Sequence, residues 1–330
     1  MKKVLFATSA LVLAAGFASA EVAVSGDGRM GFIYDGEDMQ FSSRARVKFT
    51  LTGETDSGLS FGGEFRADNA GDAKKGTAGH VWISGTYGKL AMGDVASAAE
   101  EAIGDLYSVG YTDTTFAGDV EEIFYLTADG ENTDQGPNAL YSYSINGFNL
   151  YASMSDGSAA VCTDGVTGTL GCNRVADDKT DMAWSLAANY DLNGYKIGLG
   201  YSKHGDAEEI VLGGEATFNE VSVKAIYADY SDRAYNVSAL VPVLSSVELD
   251  RTFGLSAKYD MANGVGIQGF WRRDEVSYVT AANVKGDEDF DSFGIGASYD
   301  LGGGATLAGG IVDTDYLDDT VADFGIKFKF

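Results

Sequence analysis

Apolar and polar residues alternate along most of the chain, whereas the 3.6-residue periodicity of amphipathic helices is nearly absent. In the segment 42–51, "SSRARVKFTL", Arg44, Arg46 and Lys48 lie at every second position. Side chains two residues apart share one face of a strand, so the three basic residues face one way and the apolar residues between them face the other. The pattern predicts strands that have one wet face and one apolar face.

Short turns and longer polar loops are predicted to join these strands alternately. Three segments end alike, as "NYDLNG", "KYDMANG" and "SYDLGGG", which begin at residues 189, 258 and 298. In each segment Tyr closes the apolar face, and Asp with Gly forms a tight reversal. Seven short turns and eight longer loops separate sixteen predicted strands, with the loops near 35–38, 68–79, 94–137, 155–179, 205–209, 231–250, 274–289 and 314–320. An even number of strands brings the last one beside the first, as closure of an antiparallel barrel requires.

The character of the two faces distinguishes a membrane barrel from a β-sandwich. The outer faces of a sandwich should be rich in Thr, Lys and Glu, but the faces opposite the apolar ones here consist mostly of Gly, Ser and Ala. The last segment, "VADFGIKFKF", places Phe324, Ile326, Phe328 and Phe330 on one face. We therefore predict an all-β fold, a sixteen-stranded antiparallel transmembrane β-barrel over residues 21–330.

The beginning of the chain forms a separate element. "MKK" is basic, "VLFATSALVLAAGF" is apolar, and the small residues "ASA" end at Ala20. This order predicts a secretory signal peptide over 1–20, and the alternative, a membrane anchor, is disfavoured because the apolar run is too short. No later segment has the long uninterrupted apolar run that a transmembrane helix needs.

Acidic residues outnumber basic ones by 49 to 23, and the formal net charge is −26. This charge argues against a nucleic-acid partner, because phosphates require clustered Lys and Arg, and it favours attraction of cations. Cys162 and Cys172 lie in one polar stretch of an exported chain, so we predict a disulfide between them, with free thiols as the alternative. Neither His80 nor His204 lies at zinc-ligand spacing from the cysteines.

Motifs for catalysis or nucleotide binding are weak in this sequence. "GDGRMG" at 26–31 fits G-x-G-x-x-G, but it runs into a strand and a turn rather than a helix. A Ser/His/Asp triad would have to use His80 or His204, and neither has a nucleophile-elbow Ser nearby. We expect no enzymatic activity and no required cofactor. A barrel enzyme of the outer membrane, such as a phospholipase, is the alternative.

Several stretches resemble the general diffusion porins of photosynthetic and related alphaproteobacteria, among them "VSGDGRMG", "FSSRARVKFT", "GDLYSVGYTD", "GIGASYDLGGGA" and "VADFGIKFKF". The resemblance extends over nearly all of 21–330 and falls away in the loops, including the loop that carries the cysteines. It implies a homotrimer in the bacterial outer membrane, with periplasm-facing turns and a water-filled channel for passive diffusion of ions and small hydrophilic solutes. It further implies that the third long loop, 94–137, folds inward to narrow the channel, and that the terminal Phe330 is the signal read by the barrel assembly machinery.

If the apolar faces meet lipid, the basic side chains of 42–51 point into the lumen, because each would cost roughly 2–4 kcal/mol against hydrocarbon. The same alternation adds residues from the first and third strands, and the predicted basic wall comprises Arg29, Arg44, Arg46, Lys48 and Arg66. The predicted acidic side, on the loop 94–137, comprises Glu100, Glu101, Asp105, Asp113 and Asp119. Such opposed charges create a transverse field that aligns polar solutes, and they would leave the channel weakly cation-selective. A solvated structural salt-bridge network is the alternative interpretation.

Two acidic stretches, "DEDFD" at 287–291 and "DTDYLDD" at 313–319, carry oxygen ligands at short spacing. Neither fits an EF-hand, and solvated loops explain them most simply. Ca²⁺ bridging between these loops and anionic lipopolysaccharide is a hypothesis in which no individual ligand is assigned. For the function, a substrate-selective outer-membrane channel and an exported β-rich adhesin or binding module stay open as alternatives.

Overall fold

A computed structural model describes residues 21–68, 79–126, 138–155, 158–161, 173–179, 182–234, 244–280 and 283–330. The predicted signal peptide 1–20 lies outside the described residues. Cys162 and Cys172 lie outside them as well, so their pairing stays a prediction. Residues 127–137, the last part of the third long loop, also lie outside the described residues.

The described residues form eighteen strands. Sixteen of them are antiparallel and close into one barrel, which confirms the predicted fold class. In chain order the strands are β1 (Glu21–Tyr34), β2 (Met39–Glu54), β3 (Ser60–Asp68), β4 (Gly79–Gly85), β5 (Gly88–Gly93), β6 (Asn138–Ile145), β7 (Phe148–Ser155), β8 (Ser158–Val161), β9 (Asn173–Lys179), β10 (Ala183–Leu192), β11 (Tyr195–His204), β12 (Ala207–Phe218), β13 (Val221–Ser231), β14 (Leu244–Asp260), β15 (Val265–Thr280), β16 (Lys285–Gly302), β17 (Ala305–Thr314) and β18 (Val321–Lys329). β8 and β9 pair only with each other, in the loop between β7 and β10. β1 pairs with both β2 and β18, and this pairing closes the ring.

The barrel wall is uneven in height. β14, β15 and β16 have 17, 16 and 18 residues, whereas β4 and β5 have 7 and 6. The predicted loops near 231–250 and 274–289 were therefore too long, because β14 already begins at Leu244 and the β15–β16 connection is confined to 281–284. Their polar sequence indicated a loop, but it forms strands that continue past the apolar zone.

Charged pairs across neighbouring strands explain why the polar ends of these strands stay paired. Arg251 contacts Glu275 at 3.0 Å and Asp229 at 3.3 Å. Arg273 contacts Asp291 at 2.5 Å. Opposite charges on facing positions stabilise a sheet, so this part of the wall needs no apolar outer face.

The outer face of the barrel is apolar and the inner face is polar, as the alternation predicted. Val24, Ile197 and Ile295 point outward and are 64%, 59% and 61% exposed. On the inner face Ser185 and Ser202 are fully buried. This is the reverse of a water-soluble protein and matches a wall whose outside faces lipid.

Outward aromatic pairs mark both ends of the apolar band. At the short-turn end Phe148 packs on Tyr190 with ring centroids 4.5 Å apart, and Tyr195 packs on Phe218 at 5.3 Å. At the loop end the pairs are Phe32 with Phe41, Trp184 with Tyr201, and Tyr227 with Phe253. Aromatic girdles of this kind lie at the two membrane–water interfaces of transmembrane barrels.

The hydrophobic core lies inside the barrel, between one side of the wall and the third long loop. The loop contributes a short helix, α1 (Ala98–Ile103), and a 3-10 turn at Thr115–Ala117. Leu106 and Val109 of this loop share a buried cluster with Val211 of β12 and Val312 of β17. Among the described residues, no helix is both long and apolar enough to cross a membrane.

Candidate functional site

The third long loop begins directly after β5 and is attached to the inside of the wall along its path. Ser97 caps α1 by accepting a hydrogen bond from the Glu100 N–H at 3.1 Å. The next two amides donate to the wall, Ala98 to Ser153 Oγ at 2.8 Å and Ala99 to Ser185 Oγ at 3.1 Å. The orphan N–H groups at the start of a helix are thus satisfied by side chains of β7 and β10. The sequence of this part of the loop, "ASAAEEAIGDLY" at 96–107, is rich in helix-forming residues, and α1 forms within it at 98–103.

Glycines on the inner wall let the helix approach closely. A Cβ on Gly200 would lie 2.7 Å from the Ala99 Cβ, and a Cβ on Gly213 would overlap the Cγ2 atom of Ile103. Ala98, Ala99 and Ala102 are fully buried on the face of α1 that meets the wall. The small residues that the sequence shows on the wet faces are therefore contact surface for the loop.

Asp323 of β18 holds the middle of the loop. Its Oδ1 accepts from the Tyr111 N–H at 3.1 Å and from the Gly310 N–H at 3.0 Å. Its Oδ2 accepts from the N–H and the hydroxyl of Thr112, at 2.8 and 2.7 Å. Arg29 of β1 completes the attachment, because its Nη1 donates to the Thr112 carbonyl at 2.6 Å.

Two buried arginines hold the later part of the loop. Arg272 of β15 donates to the carbonyls of Val120 and Glu122, and its guanidinium lies 3.9 Å from the Phe124 ring centroid. Arg233 donates to the carbonyls of Phe124 and Tyr125. Arg272 also contacts Asp274 at 2.7 Å, and both of these side chains are fully buried. The loop is thus fixed by charged groups as well as by apolar packing.

The attachments run from β7 and β10 round the wall to β18, with one more from Arg29 of β1, and space stays open inside the barrel beside the strands that follow β1. A cavity of about 620 Å³ lies there, against the inner faces of β1 to β4. Its charged lining residues are Asp27, Arg46, Lys48, Glu64, Arg66, His80, Asp94 and Lys329. A second cavity of about 220 Å³ adjoins His80 and is also lined by Lys89, Asp94 and Glu101.

The five residues of the predicted basic wall all lie on the inner face, but they differ in their partners. Arg46, Lys48 and Arg66 line the larger cavity, with Lys48 in contact with Glu64 at 2.5 Å. Arg44 contacts Asp27 at 3.0 Å. Arg29 is occupied by the loop through Thr112. Alternation of side chains therefore located the face, while partners on the loop and on β1 decide which basic residues line the open cavity.

The five predicted loop carboxylates divide in the same way. Glu101 is exposed beside His80 and Lys89, and Asp113 is exposed and contacts Lys327 of β18 at 2.7 Å. Asp105 turns into the loop, where it accepts a hydrogen bond from the Ile123 N–H at 2.9 Å. Glu100 and Asp119 are half-buried.

Burial changes the titration of the loop acids. Desolvation raises the pKa of Asp105 and of Asp119 above the ordinary value of an aspartate. It raises the pKa of Glu121 to about 8, with Asp119, Glu122 and Asp105 adding like-charge repulsion. Glu121 is 4% exposed, and its Oε2 has no hydrogen-bond partner among the described residues. Part of the loop's negative charge is therefore reduced near neutral pH.

Sequence reasoning missed several residues of the site. Lys327, Lys329 and Asp323 alternate on the inner face of the last strand, and this pattern could have identified them. His80 and Lys89 occupy inner positions of β4 and β5. Arg233 and Arg272 had no comparable signal, because their role depends on how the loop folds.

The terminal Phe330 lies at the short-turn end, on the outer face. Its ring is 83% exposed and stacks on Phe328 with ring centroids 6.4 Å apart. Its backbone pairs with Gly26 of β1, with N–H to carbonyl distances of 2.8 and 3.3 Å. Phe330 is thus a paired part of the wall.

The predicted calcium regions take two forms. The acidic residues of 287–291 belong to β16, and those of 313–319 surround the connection from β17 to β18. Within the described ranges no group of three or more His, Cys, Asp or Glu side chains converges as a metal site would require.

Comparison with known proteins gives consistent matches over almost the whole chain. A family model described as Gram-negative porin matches residues 7–319. A porin of Rhodobacter capsulatus is 41% identical over 325 residues, which cover 94% of this chain and 100% of the relative. A porin of Fuscovulum blasticum is 29% identical over 325 residues with the same coverage.

Solved structures match as well. A porin structure refined at 1.8 Å resolution is 38% identical and superimposes with a TM-score of 0.75, covering 94% of this chain and 100% of the other. A variant of the Rh. blastica porin, 22% identical with a TM-score of 0.63 and the same coverage, shares the fold.

Proposed function

This chain belongs to the Gram-negative porin family, and on that premise we propose that the loop beginning at residue 94 narrows its lumen into a passage lined by opposed charges. As a porin it is a channel of the bacterial outer membrane, through which ions and small solutes pass, and it is not an enzyme. We further propose that these solutes are small and hydrophilic, and that the charges of the passage act on them as they cross.

The observation that carries the proposal is the position of the open cavity between two differently charged surfaces. On the wall Arg46, Lys48 and Arg66 outnumber Asp27 and Glu64, whereas the charged residues at the start of the loop, Asp94 and Glu101, are acidic. Charges of opposite sign across a narrow aqueous space create a field perpendicular to the channel axis. Polar solutes can align with this field, whereas apolar solutes lose ordered water without compensation.

Net selectivity follows from the sum of all charges that ions encounter. The chain carries a formal charge of −26, and acidic residues stand on both the loop and the outer connections. The basic wall opposes this charge at the narrow part. We therefore propose that the channel is weakly cation-selective, because the basic wall offsets part of the attraction for cations.

Substitution of Arg46 tests the role of the wall. Arg46→Glu should raise the cation-to-anion permeability ratio by roughly two- to tenfold, because two units of charge change beside the ion path. The measurement is the reversal potential of single channels in a planar bilayer under a salt gradient. Lys203→Glu is the matched control, since Lys203 carries the same charge but lies on the outer face of β11, paired with Glu208.

An unchanged reversal potential in Arg46→Glu, together with normal conductance, would refute opposed charges as the basis of selectivity. Conductance that saturates and is blocked by one class of solute would instead favour the substrate-selective channel. Correctly inserted protein without conductance would contradict an open passage altogether.

Assembly is a further part of the proposal, in the form of a homotrimer inserted by the barrel assembly machinery. Family resemblance supports the trimer, and the exposed, stacked ring of Phe330 supports a recognition signal at the end of β18. Light scattering in detergent should give three times the protomer mass, and a protomer mass would contradict the trimer. Phe330→Ala should reduce insertion in cells, whereas Phe218→Ala, at another turn end, should not.

Calcium has a limited place in the proposal. Exposed carboxylates at the outer connections, such as Asp38, Asp315 and Asp319, suit Ca²⁺ bridging to anionic lipopolysaccharide rather than a closed site. Calcium should raise the thermal unfolding temperature in lipopolysaccharide-containing membranes and leave it unchanged in neutral detergent. An equal effect in both would argue for a site within the protein.

A further inference from the structure

His80 is the one histidine that lines the described cavities of the lumen. It is an inner residue of β4, facing Glu64 on β3 and Gly93 on β5. We propose that His80 determines ion selectivity according to pH, so that its protonation shifts the passage towards anions. The inference rests on the proposed function, because it requires ions to pass beside the wall that carries His80.

The charges around His80 are nearly balanced. Across the two cavities the positive side chains are Arg46, Lys48, Arg66, Lys89 and Lys329. The negative side chains are Asp27, Glu64, Asp94 and Glu101. These five positive and four negative side chains sum to +1 with a neutral imidazole and to +2 with a protonated one. One proton on His80 therefore doubles the small net positive charge that lines this part of the lumen.

Every element packed around His80 presents a charge to it. Glu64 faces it from β3, Lys48 lies beyond on β2, and Lys89 stands on β5. The loop adds Asp94 and Glu101 on the opposite side of the smaller cavity. Positive and negative neighbours are thus both present, and the imidazole stays within reach of the aqueous passage.

Few other groups titrate in the same range. Imidazole is the side chain whose ordinary pKa places its charge change between about pH 5 and 8. The chain contains 2 histidines, and the other, His204, ends β11 at the outer connections. Glu121, with a pKa raised by burial to about 8, is buried within the loop. These two positions supply the controls.

The test measures the reversal potential in planar bilayers under one salt gradient at about pH 8 and about pH 5. In the unmodified protein the cation-to-anion permeability ratio should fall by about twofold on acidification, because a unit charge several Å from the path changes local ion concentration by about this factor. His80→Gln should lose this fall. His204→Gln and Glu121→Gln should retain it.

Two further variants keep the test decisive. His80→Lys should hold the anion-shifted ratio at both pH values, since its charge does not titrate there. In a His204→Gln background, where His80 is the remaining histidine, carbethoxylation by diethylpyrocarbonate should abolish the response, and hydroxylamine should restore it. This chemical route does not depend on the folding of a His80 variant.

A fall of equal size in His80→Gln would overturn the inference, as would an unmodified protein whose ratio does not change with pH. These results are separable from failure of the opposed-charge passage. If Arg46→Glu shifts selectivity while the pH response survives in His80→Gln, the inference about His80 is wrong and the proposed passage stands. If Arg46→Glu has no effect, the proposed passage itself is refuted.

Discussion

At the scale of single residues, Asp323 fixes the middle of the third long loop to β18. One carboxylate accepts four hydrogen bonds, from the amides of Tyr111, Thr112 and Gly310 and from the Thr112 hydroxyl. It is 6% exposed, so water cannot readily replace these donors. Hydrogen bonds to a charged acceptor contribute more than neutral ones, and a buried donor left without a partner is costly.

Asp323→Asn should release the middle of the loop. The Asn amide keeps one acceptor oxygen, but its NH₂ group would face N–H or O–H donors that the second carboxylate oxygen had satisfied. We therefore expect the free energy that holds this part of the loop in place to fall by roughly 2–4 kcal/mol. Hydrogen exchange at Tyr111 and Thr112 should accelerate, and single-channel current should become noisier. Asp313→Asn is the control, because Asp313 is exposed on the outer face of β17 and accepts a hydrogen bond from Thr320 on the outer connection. Equal protection in both variants would contradict the anchoring role.

The residues of the site were predictable to the extent that they follow strand alternation. The inner position of Arg44, Arg46 and Lys48 could be read from their spacing, because exposure to lipid makes the other choice costly. Which basic residues line the open cavity could not be read, because Arg29 is occupied by the Thr112 carbonyl and Arg44 by Asp27 of β1. Strand periodicity specifies neither the path of the loop that carries Thr112 nor the pairing of charged side chains within the wall.

At the scale of elements, the loop depends on a wall that has space for it. Gly200 and Gly213 on β11 and β12 face α1 where any side chain would meet Ala99 or Ile103. The sequence indicated small inner faces and a short helix. It did not indicate that one fits against the other, because docking matches positions more than a hundred residues apart along the chain.

Gly213→Val should displace α1 from the wall. The added branched side chain would occupy the position of Ile103 and force the loop towards the passage or out of it. We expect altered conductance with frequent partial closures, and faster proteolysis within the loop. Gly214→Ala provides the control, because its Cβ would meet nothing closer than the Lys196 carbonyl at 3.9 Å. A Gly213→Val channel identical to the unmodified one would refute close packing as the support of the loop.

The lengths of the strands show where periodicity misleads. The ends of β14, β15 and β16 carry charged residues on their outer face, a pattern that also describes loops. Cross-strand pairs such as Arg251 with Glu275 and Arg273 with Asp291 keep them paired above the apolar band. Counting turns gave the correct number of strands, because turn residues mark reversals wherever the strand ends lie.

At the scale of the whole molecule, stability depends on matching an apolar exterior to a bilayer. Outward residues such as Leu199, Ile210 and Ile295 are about half or more exposed, and the buried cluster lies inside with the loop. A water-soluble β-protein would bury these residues between sheets. The barrel instead relies on lipid to cover them, so the cost of a polar substitution should depend on depth in the membrane.

Leu199→Arg should lower the free energy of unfolding by roughly 2–4 kcal/mol, because Leu199 faces outward in the middle of β11 and would place a guanidinium against hydrocarbon. Leu192→Arg makes the same change at the end of β10, beside a short turn, where the cost should be about 0–1 kcal/mol. The two leucines are 56% and 53% exposed, so exposure is matched and only depth differs. Guanidinium titration of the barrel in lipid vesicles gives both values. Equal losses at the two positions would mean that the apolar band is not centred on the middle of β11, whereas a large loss at Leu199 alone would place the hydrocarbon boundary between these residues.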